Sequence, residues 1–232
     1  ILKNSSFSSV DIPIPSDLDN PDPSYWQILY QKKETSYLKI ARDIVKVGVE
    51  KALSDVPLIK FGALCASDRK EIEQLSAIRE LISEYLSNPK PERPLSFAVF
   101  GAPGAGKSFA VKQIVKSIGN QDLESIVFNL SQFTDYSDLV KAFHKVRNIT
   151  LKGKIPFVLF DEFDTDELIW LKQFLAPMQD AEFKEGETVH PLGNRVIFVF
   201  AGGTNTSFGQ FSQKDHEDKD KFKSLKGPDF IS

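Results

Sequence analysis

Residues 101–108 read Gly-Ala-Pro-Gly-Ala-Gly-Lys-Ser and follow directly on the apolar run Leu95-Ser-Phe-Ala-Val-Phe100. The spacing G-x-x-x-x-G-K-S is that of a phosphate-binding loop, which needs a strand before it and a helix after it. Gly101, Gly104 and Gly106 permit backbone angles and a closeness of approach that a Cβ would block. Successive N–H groups then turn inward and wrap a phosphate at the positive end of the next helix. Lys107 adds a point charge for the β- and γ-phosphates, and the Ser108 hydroxyl can sit on Mg²⁺. Pro103 and Ala105 complete the loop and Phe109 follows it, so residues 101 and 103–109 are the candidate nucleotide contacts. The bland alternative is a glycine-rich turn before an ordinary helix. The strand–loop–helix context favours the nucleotide.

A second cluster stands 54 and 55 residues after Lys107, in the string Phe157-Val-Leu-Phe-Asp-Glu-Phe-Asp164. A carboxylate at the end of a buried strand would lie beside the phosphate loop. Asp161 would hold the Mg²⁺ shell through water, and Glu162 would orient and deprotonate the water that attacks the γ-phosphate. The competing reading is an acidic helix cap, which is how Asp164 reads, paired with Glu167. A third apolar run, Arg195-Val-Ile-Phe-Val-Phe-Ala201, ends in Gly-Gly-Thr-Asn205. A polar side chain here could sense the γ-phosphate, with Asn205 ahead of Thr204. The same four residues are also good turn formers.

These groups need a scaffold. The chain has 232 residues, 41% hydrophobic and 26% charged, enough for one large domain or a domain with an appendage. Residues 1–24 are rich in Ser, Pro and Asp and read as an extended or disordered lead. Residues 25–60 form an N-terminal helical segment, with one long or two shorter helices between Tyr25 and Leu53 around Gly48. Ser54–Ala66 reads as irregular. Asp68 and Glu71 form a capping pair at the head of a helix whose apolar stripe runs from Ile72 to Leu86, and Asn88-Pro89 ends it. Strands and helices then alternate: strand 95–100, helix 107–118 closed by Gly119, strand 125–130, helix 137–146, strand 155–160, helix 164–175, strand 195–201. That alternation predicts an α/β domain over 61–232 with a parallel sheet covered on both faces. His216–Lys226 reads as a solvated loop.

The net charge of −3 gives no argument for nucleic acid or membrane, and no apolar run is long enough to span one. Cys65 is the only cysteine, which excludes an intrachain disulfide and suits a reducing cytoplasm. His190 reads as a surface residue, because no second metal ligand stands at a suitable spacing.

The phosphate loop, an intervening strand, a strand ending in Asp161-Glu162 and a further strand ending in a polar residue together resemble the AAA+ ATPase superfamily, from roughly Phe61 to Asn205. The resemblance makes GAPGAGKS the Walker A motif, FVLFDE the Walker B motif and Asn205 the sensor-1 position. It implies a three-layer P-loop NTPase fold with strand order 5-1-4-3-2. It also implies ATP and Mg²⁺ as ligands, and a homo-oligomer acting on a protein partner. Phe61-Gly62 resembles the segment that packs on adenine, and residues 179–194 resemble a β-hairpin inserted before sensor 1. Two departures stand against full activity. Residues 206–232 hold no run suited to a fifth strand and no room for the helical lid. They also hold no arginine for a finger or a lid sensor. The chain starts at Ile1 and is expected to be a piece of something longer, able to bind ATP and hydrolysing it poorly alone. The leading expectation is an ATPase core that couples hydrolysis to conformational change. The alternative is a nucleotide-controlled binding module with little turnover, and Glu162 is the residue that separates the two. A small-molecule kinase is disfavoured by the Asp-Glu pair.

Overall fold

The structure is a computed structural model, and it describes residues 37–54, 56, 58–165, 168–193, 195–212 and 219–231. The expected lead over 1–24, the start of the N-terminal helical segment, Glu167, Asn194 and His216 lie outside the described residues. The chain divides into two units, Ile1–Arg79 and Glu80–Ser232.

In the first unit, α1 (Tyr37–Val47) and α2 (Val49–Ala52) are separated at Gly48, whose φ of 83° lies in the left-handed region. Ile40, Ala52, Leu53 and Val56 form its small core. A hairpin follows, β1 (Ile59–Phe61) and β2 (Leu64–Ala66), where the sequence reads as irregular. Its strands are three residues each, too short to show an alternating pattern. Helix α3 (Arg69–Ser87) opens as expected, with the Asp68 carboxylate accepting from Glu71 N–H at 2.9 Å.

The second unit contains β3 (Leu95–Val99), α4 (Lys107–Ile118), β4 (Leu123–Asn129), α5 (Tyr136–Leu151) and β5 (Ile155–Asp161). It continues with α6 (Leu171–Gln179), β6 (Glu182–Glu185), β7 (Thr188–Pro191) and β8 (Ile197–Ala201). Short helices α7 (Phe208–Ser212), α8 (Lys219–Ser224) and α9 (Gly227–Ile231) come last. Strands β3, β8, β5 and β4 form one parallel sheet in that order. This is the α/β fold expected from the sequence, with the 1-4-3-2 part of the implied order in place. Among the described residues no fifth strand pairs with β3.

The central strands explain the sequence pattern. All five residues of β8 and the first six of β5 are buried. A strand covered on both faces reads as a continuous apolar run, because neither set of alternating side chains meets water. One face turns Val158, Phe160, Phe198 and Phe200 toward Leu139, Val140, Phe143 and Val146 of α5 and toward Leu171 and Phe174 of α6. The alternate residues Phe157, Leu159, Ile197 and Val199 are buried too, as are Val111, Ile114 and Val115 on α4.

In the second unit three elements differ from the sequence reading. Helix α5 runs on to Leu151 rather than stopping near Val146. Helix α6 begins at Leu171, not at Asp164, because the Asp164 carboxylate is committed elsewhere. Part of the expected loop 216–226 is the helix α8. The hairpin before the last strand is present: β6 and β7 pair with Glu185 opposite Thr188, leaving Gly186-Glu187 as the loop. Gly186 has φ 60°, as a two-residue turn with glycine first requires.

Phe160 is fully buried and touches the rings of Phe143, Phe174 and Phe200, the closest centroid lying 4.7 Å away. Phe160→Ala should lower stability by about 3–5 kcal/mol, through lost transfer energy plus a cavity. Urea unfolding monitored by circular dichroism checks this, and a loss under 1 kcal/mol would mean the core is looser than it looks.

Candidate functional site

Register brings the chemistry to one edge. Val99 of β3 lies beside Ala201 of β8, and Ala201 lies beside Asp161 of β5. The three strands therefore end level, and their following loops converge. The crevice outside the carboxyl ends of the strands is where open α/β sheets bind ligands.

After β3 the chain enters the glycine loop. Gly104 and Gly106 both have φ 77°, and Gly106 stands immediately before α4. A side chain at these angles would be strained, which is why the motif demands glycine there. The Lys107 ammonium donates to the carbonyls of Gly101 at 2.8 Å and Ala102 at 3.0 Å, closing over its own loop. Ala105 N–H donates to Ala102 C=O at 3.1 Å, which makes the loop compact.

Across from the loop, Ser108 Oγ donates to Asp161 Oδ2 at 2.8 Å. A hydroxyl and a carboxylate held this close form a hard-oxygen pair suited to Mg²⁺. Glu162 follows with φ 55°, uncommon for a residue with a side chain. Thr165 holds that turn, donating to Glu162 C=O through its N–H at 3.2 Å and its hydroxyl at 2.8 Å. A Cβ at Gly203 would lie 3.1 Å from Glu162 Cγ, so the glycine makes room for the glutamate.

Asp164 is the polar residue that the sequence reading misplaced. It is 4% exposed, and its carboxylate accepts from Gly203 N–H, from Thr204 N–H at 3.1 Å and from Asn205 N–H at 2.7 Å. It accepts a fourth bond from Asn205 Nδ2 at 2.9 Å. Asp164 is therefore a clamp between the loops after β5 and β8, not a helix cap.

A cavity of about 440 Å³ joins these parts. Pro103, Gly104, Gly106, Lys107, Ser108, Phe109, Asp161 and Glu162 line it, and Thr165, Gly202, Gly203 and Thr204 close its other wall. Among the described lining residues Lys107 is the one cation. Thr204 faces this cavity, while the Asn205 amide is spent on Asp164. Gly101 and Ala105 hold the loop rather than line the cavity. Phe61 is buried at the end of β1 and Gly62 is exposed in the following turn, both in the first unit. Thr165, Gly202 and Gly203 carry no motif signal and were not foreseen. The donor set fits a Mg-nucleotide: a basic side chain at the glycine loop, two hard oxygens facing it and a carboxylate one residue on.

Residues 75–157 match the model of the KAP family P-loop domain. That match supports a P-loop NTPase domain in the chain. The matched span includes the whole glycine loop and stops short of Asp161. Among solved structures, the P-loop NTPase domain is similar to the Aeropyrum pernix ORC2 protein in its ADPNP-ADP complexes, at 13% identity and a TM-score of 0.40. That match covers 70% of this chain and 46% of the other. The likeness is loose, and no residue role is taken from it. No helix among the described residues is long and apolar enough to cross a membrane.

One sequence-level argument fails against the structure. His190 does have candidate co-ligands, because the fold sets His144 and Glu185 beside it.

Asp164→Ala should leave four donors without their acceptor in a closed region. The expected loss of stability is about 2–4 kcal/mol, the range for stranded buried polar groups. Thermal unfolding of the two proteins measures it. An unchanged midpoint would show that water replaces the carboxylate without penalty.

Proposed function

We propose that this site binds ATP with Mg²⁺ and hydrolyses the β–γ phosphoanhydride, and that turnover drives a conformational change in an AAA+-type machine. The observation that carries the reading is the 2.8 Å bond from Ser108 Oγ to Asp161 Oδ2, with Glu162 next in the chain and both carboxylates on the cavity beside Lys107. When bound, Mg²⁺ would supply charge neutralisation between the β- and γ-phosphates. Ser108 and Asp161 are the residues to hold it.

The protein's own groups divide the remaining work. The N–H groups of the glycine loop bind phosphate oxygens at the head of α4. Lys107 exchanges its carbonyl partners for phosphate, a stronger acceptor because it is charged. Glu162 accepts a proton from the attacking water. Its backbone is fixed by Thr165 and its side chain rests on Gly203, so its position is set before substrate arrives. Thr204 lines the cavity from the loop after β8 and would be the side chain there to contact the γ-phosphate. Asn205 acts one step back, by holding Asp164 and so the whole loop.

A single cation in the described lining suits a site completed by a second subunit, as a trans cation is worth about 10³–10⁵ in related phosphoryl transfers. ATP-dependent self-association is therefore part of the proposal, with sedimentation in the presence and absence of nucleotide as its check. The lone exposed thiol of Cys65 fits a reducing compartment such as the cytoplasm.

Two substitutions test the reading. Lys107→Ala should weaken ATP binding at least about a hundredfold, from the loss of a charge at the phosphates. Titration with a fluorescent ATP analogue reads this out, and unchanged affinity would overturn the site. Glu162→Gln should keep affinity and cut turnover by about 10²–10⁴, the usual worth of a positioned base. Phosphate release at saturating ATP is the measurement. Wild-type turnover in that variant would favour the alternative, a nucleotide-held binding module in which hydrolysis is incidental.

A further inference from the structure

Helix α5 and the later β6–β7 hairpin place His144, Glu185 and His190 together. His144 lies on α5, Glu185 ends β6 and His190 lies on β7. His144 Nε2 stands 2.9 Å from Glu185 Oε2, and His190 Nε2 stands 3.3 Å from the same oxygen. One ligand atom from each residue lies within 4.8 Å of the others. Among the described residues this is the only such group of three.

The arrangement follows from the hairpin. Phe183 pairs with His190 across β6 and β7, and Glu185 is two residues on from Phe183. Side chains two apart share a face of a strand, so Glu185 and His190 are diagonal neighbours on one face. Phe183, only 2% exposed, fixes both imidazoles. It stacks on His190 at 5.2 Å and 29°, and meets the edge of His144 at 5.0 Å and 89°. The hairpin is anchored independently, since Tyr136 Oη donates to Lys184 C=O at 2.8 Å. The ligand atoms are thus held in place by contacts that need no ion.

Here two partly exposed imidazoles converge on a single oxygen, although water is within reach of each. We propose that His144, Glu185 and His190 form a binding site for a borderline divalent cation of the zinc class, which would staple the β6–β7 hairpin to α5. Two nitrogens and one carboxylate oxygen are a donor set that zinc accepts in four-coordinate sites, with the fourth position left for water. Tetrahedral bonds of about 2.0–2.1 Å put ligand atoms roughly 3.3 Å apart. The two distances to Glu185 need only small adjustment to reach that. Imidazole donors select against Mg²⁺, so the ion is distinct from the one assigned to Ser108 and Asp161.

The test is a Co²⁺ titration of the chelator-treated protein with Mg²⁺ in excess, following the visible absorption of low-coordinate cobalt. One equivalent should bind. His144→Ala and His190→Ala should each weaken it at least about tenfold, as loss of a direct ligand exceeds the effect of losing a supporting one. Asp161→Asn and Cys65→Ser should leave the titration unchanged. Zn²⁺ should raise the thermal midpoint of the wild type and not that of the double histidine variant. X-ray absorption at the cobalt edge of the wild-type complex should show two imidazoles, a result independent of whether any variant folds. The proposal is overturned if the wild type shows no saturable cobalt spectrum, or if the edge shows no imidazole. It is equally overturned if binding survives in the double histidine variant, or is lost in Asp161→Asn or Cys65→Ser.

Discussion

The carboxylate of Asp164 carries four hydrogen bonds from the loop that follows β8, and the geometry of the site depends on them. The donors are part-buried, and stranding a buried one costs about 1–3 kcal/mol. With the acceptor in place, Gly203, Thr204 and Asn205 are pinned against the turn after β5. The same bonds decide where Glu162 can point, because Gly203 lies against its side chain. The clamp also restricts which residues can stand in the loop. A Cβ at Gly202 would lie 3.0 Å from the Phe100 ring and 3.2 Å from Asp164 Oδ2. Tight approach thus explains these glycines, whereas Gly106 in the phosphate loop is required by its left-handed backbone.

Strand order turns this local clamp into a site. The acidic strand β5 is not the neighbour of β3, which leads into the phosphate loop. Strand β8 lies between them, so the loop after β8 spans the gap between Lys107 and Glu162. A sheet with β3 and β5 adjacent would bring the hydroxyl and carboxylate together but leave out the cavity wall formed by Gly202, Gly203 and Thr204.

Much of this was legible from sequence, for physical reasons that differ by element. The phosphate loop is readable because phosphate imposes residue types at fixed spacing. Strands β5 and β8 are readable because two buried faces leave no polar interruption until the strand ends. The β6–β7 hairpin shows through Glu185-Gly186, since only a glycine turn joins such short strands. What stayed hidden is what long-range geometry creates. Nothing near Asp164 says that it will gather donors from residues 203–205. The first-unit hairpin has strands of three residues, too short for a period. The histidine cluster adds His144, from a remote helix, to Glu185 and His190 of one hairpin, so spacing rules written for contiguous ligands pass over it. At Asn205 sequence could not tell a side chain that faces the cavity from one that holds its wall.

The turn Glu162-Phe163-Asp164 shows how the core supports the chemistry. Three consecutive side chains take three environments: the cavity, the core and the clamp. Phe163 is fully buried, packed on Phe200, Phe211 and Phe230 at ring separations of 5.2–5.8 Å. Its burial is worth about 1.5–3 kcal/mol. The left-handed backbone at Glu162 costs roughly 1–2 kcal/mol. The anchor therefore offsets the strain, and the carboxylates on either side of Phe163 are separated by a residue that cannot move without opening the core. Phenylalanine there gives a stiff side chain with two torsions and a large buried area, so packing, together with the hydrogen bonds to Asp164, aims apart the acid that faces the cavity and the acid that holds its wall.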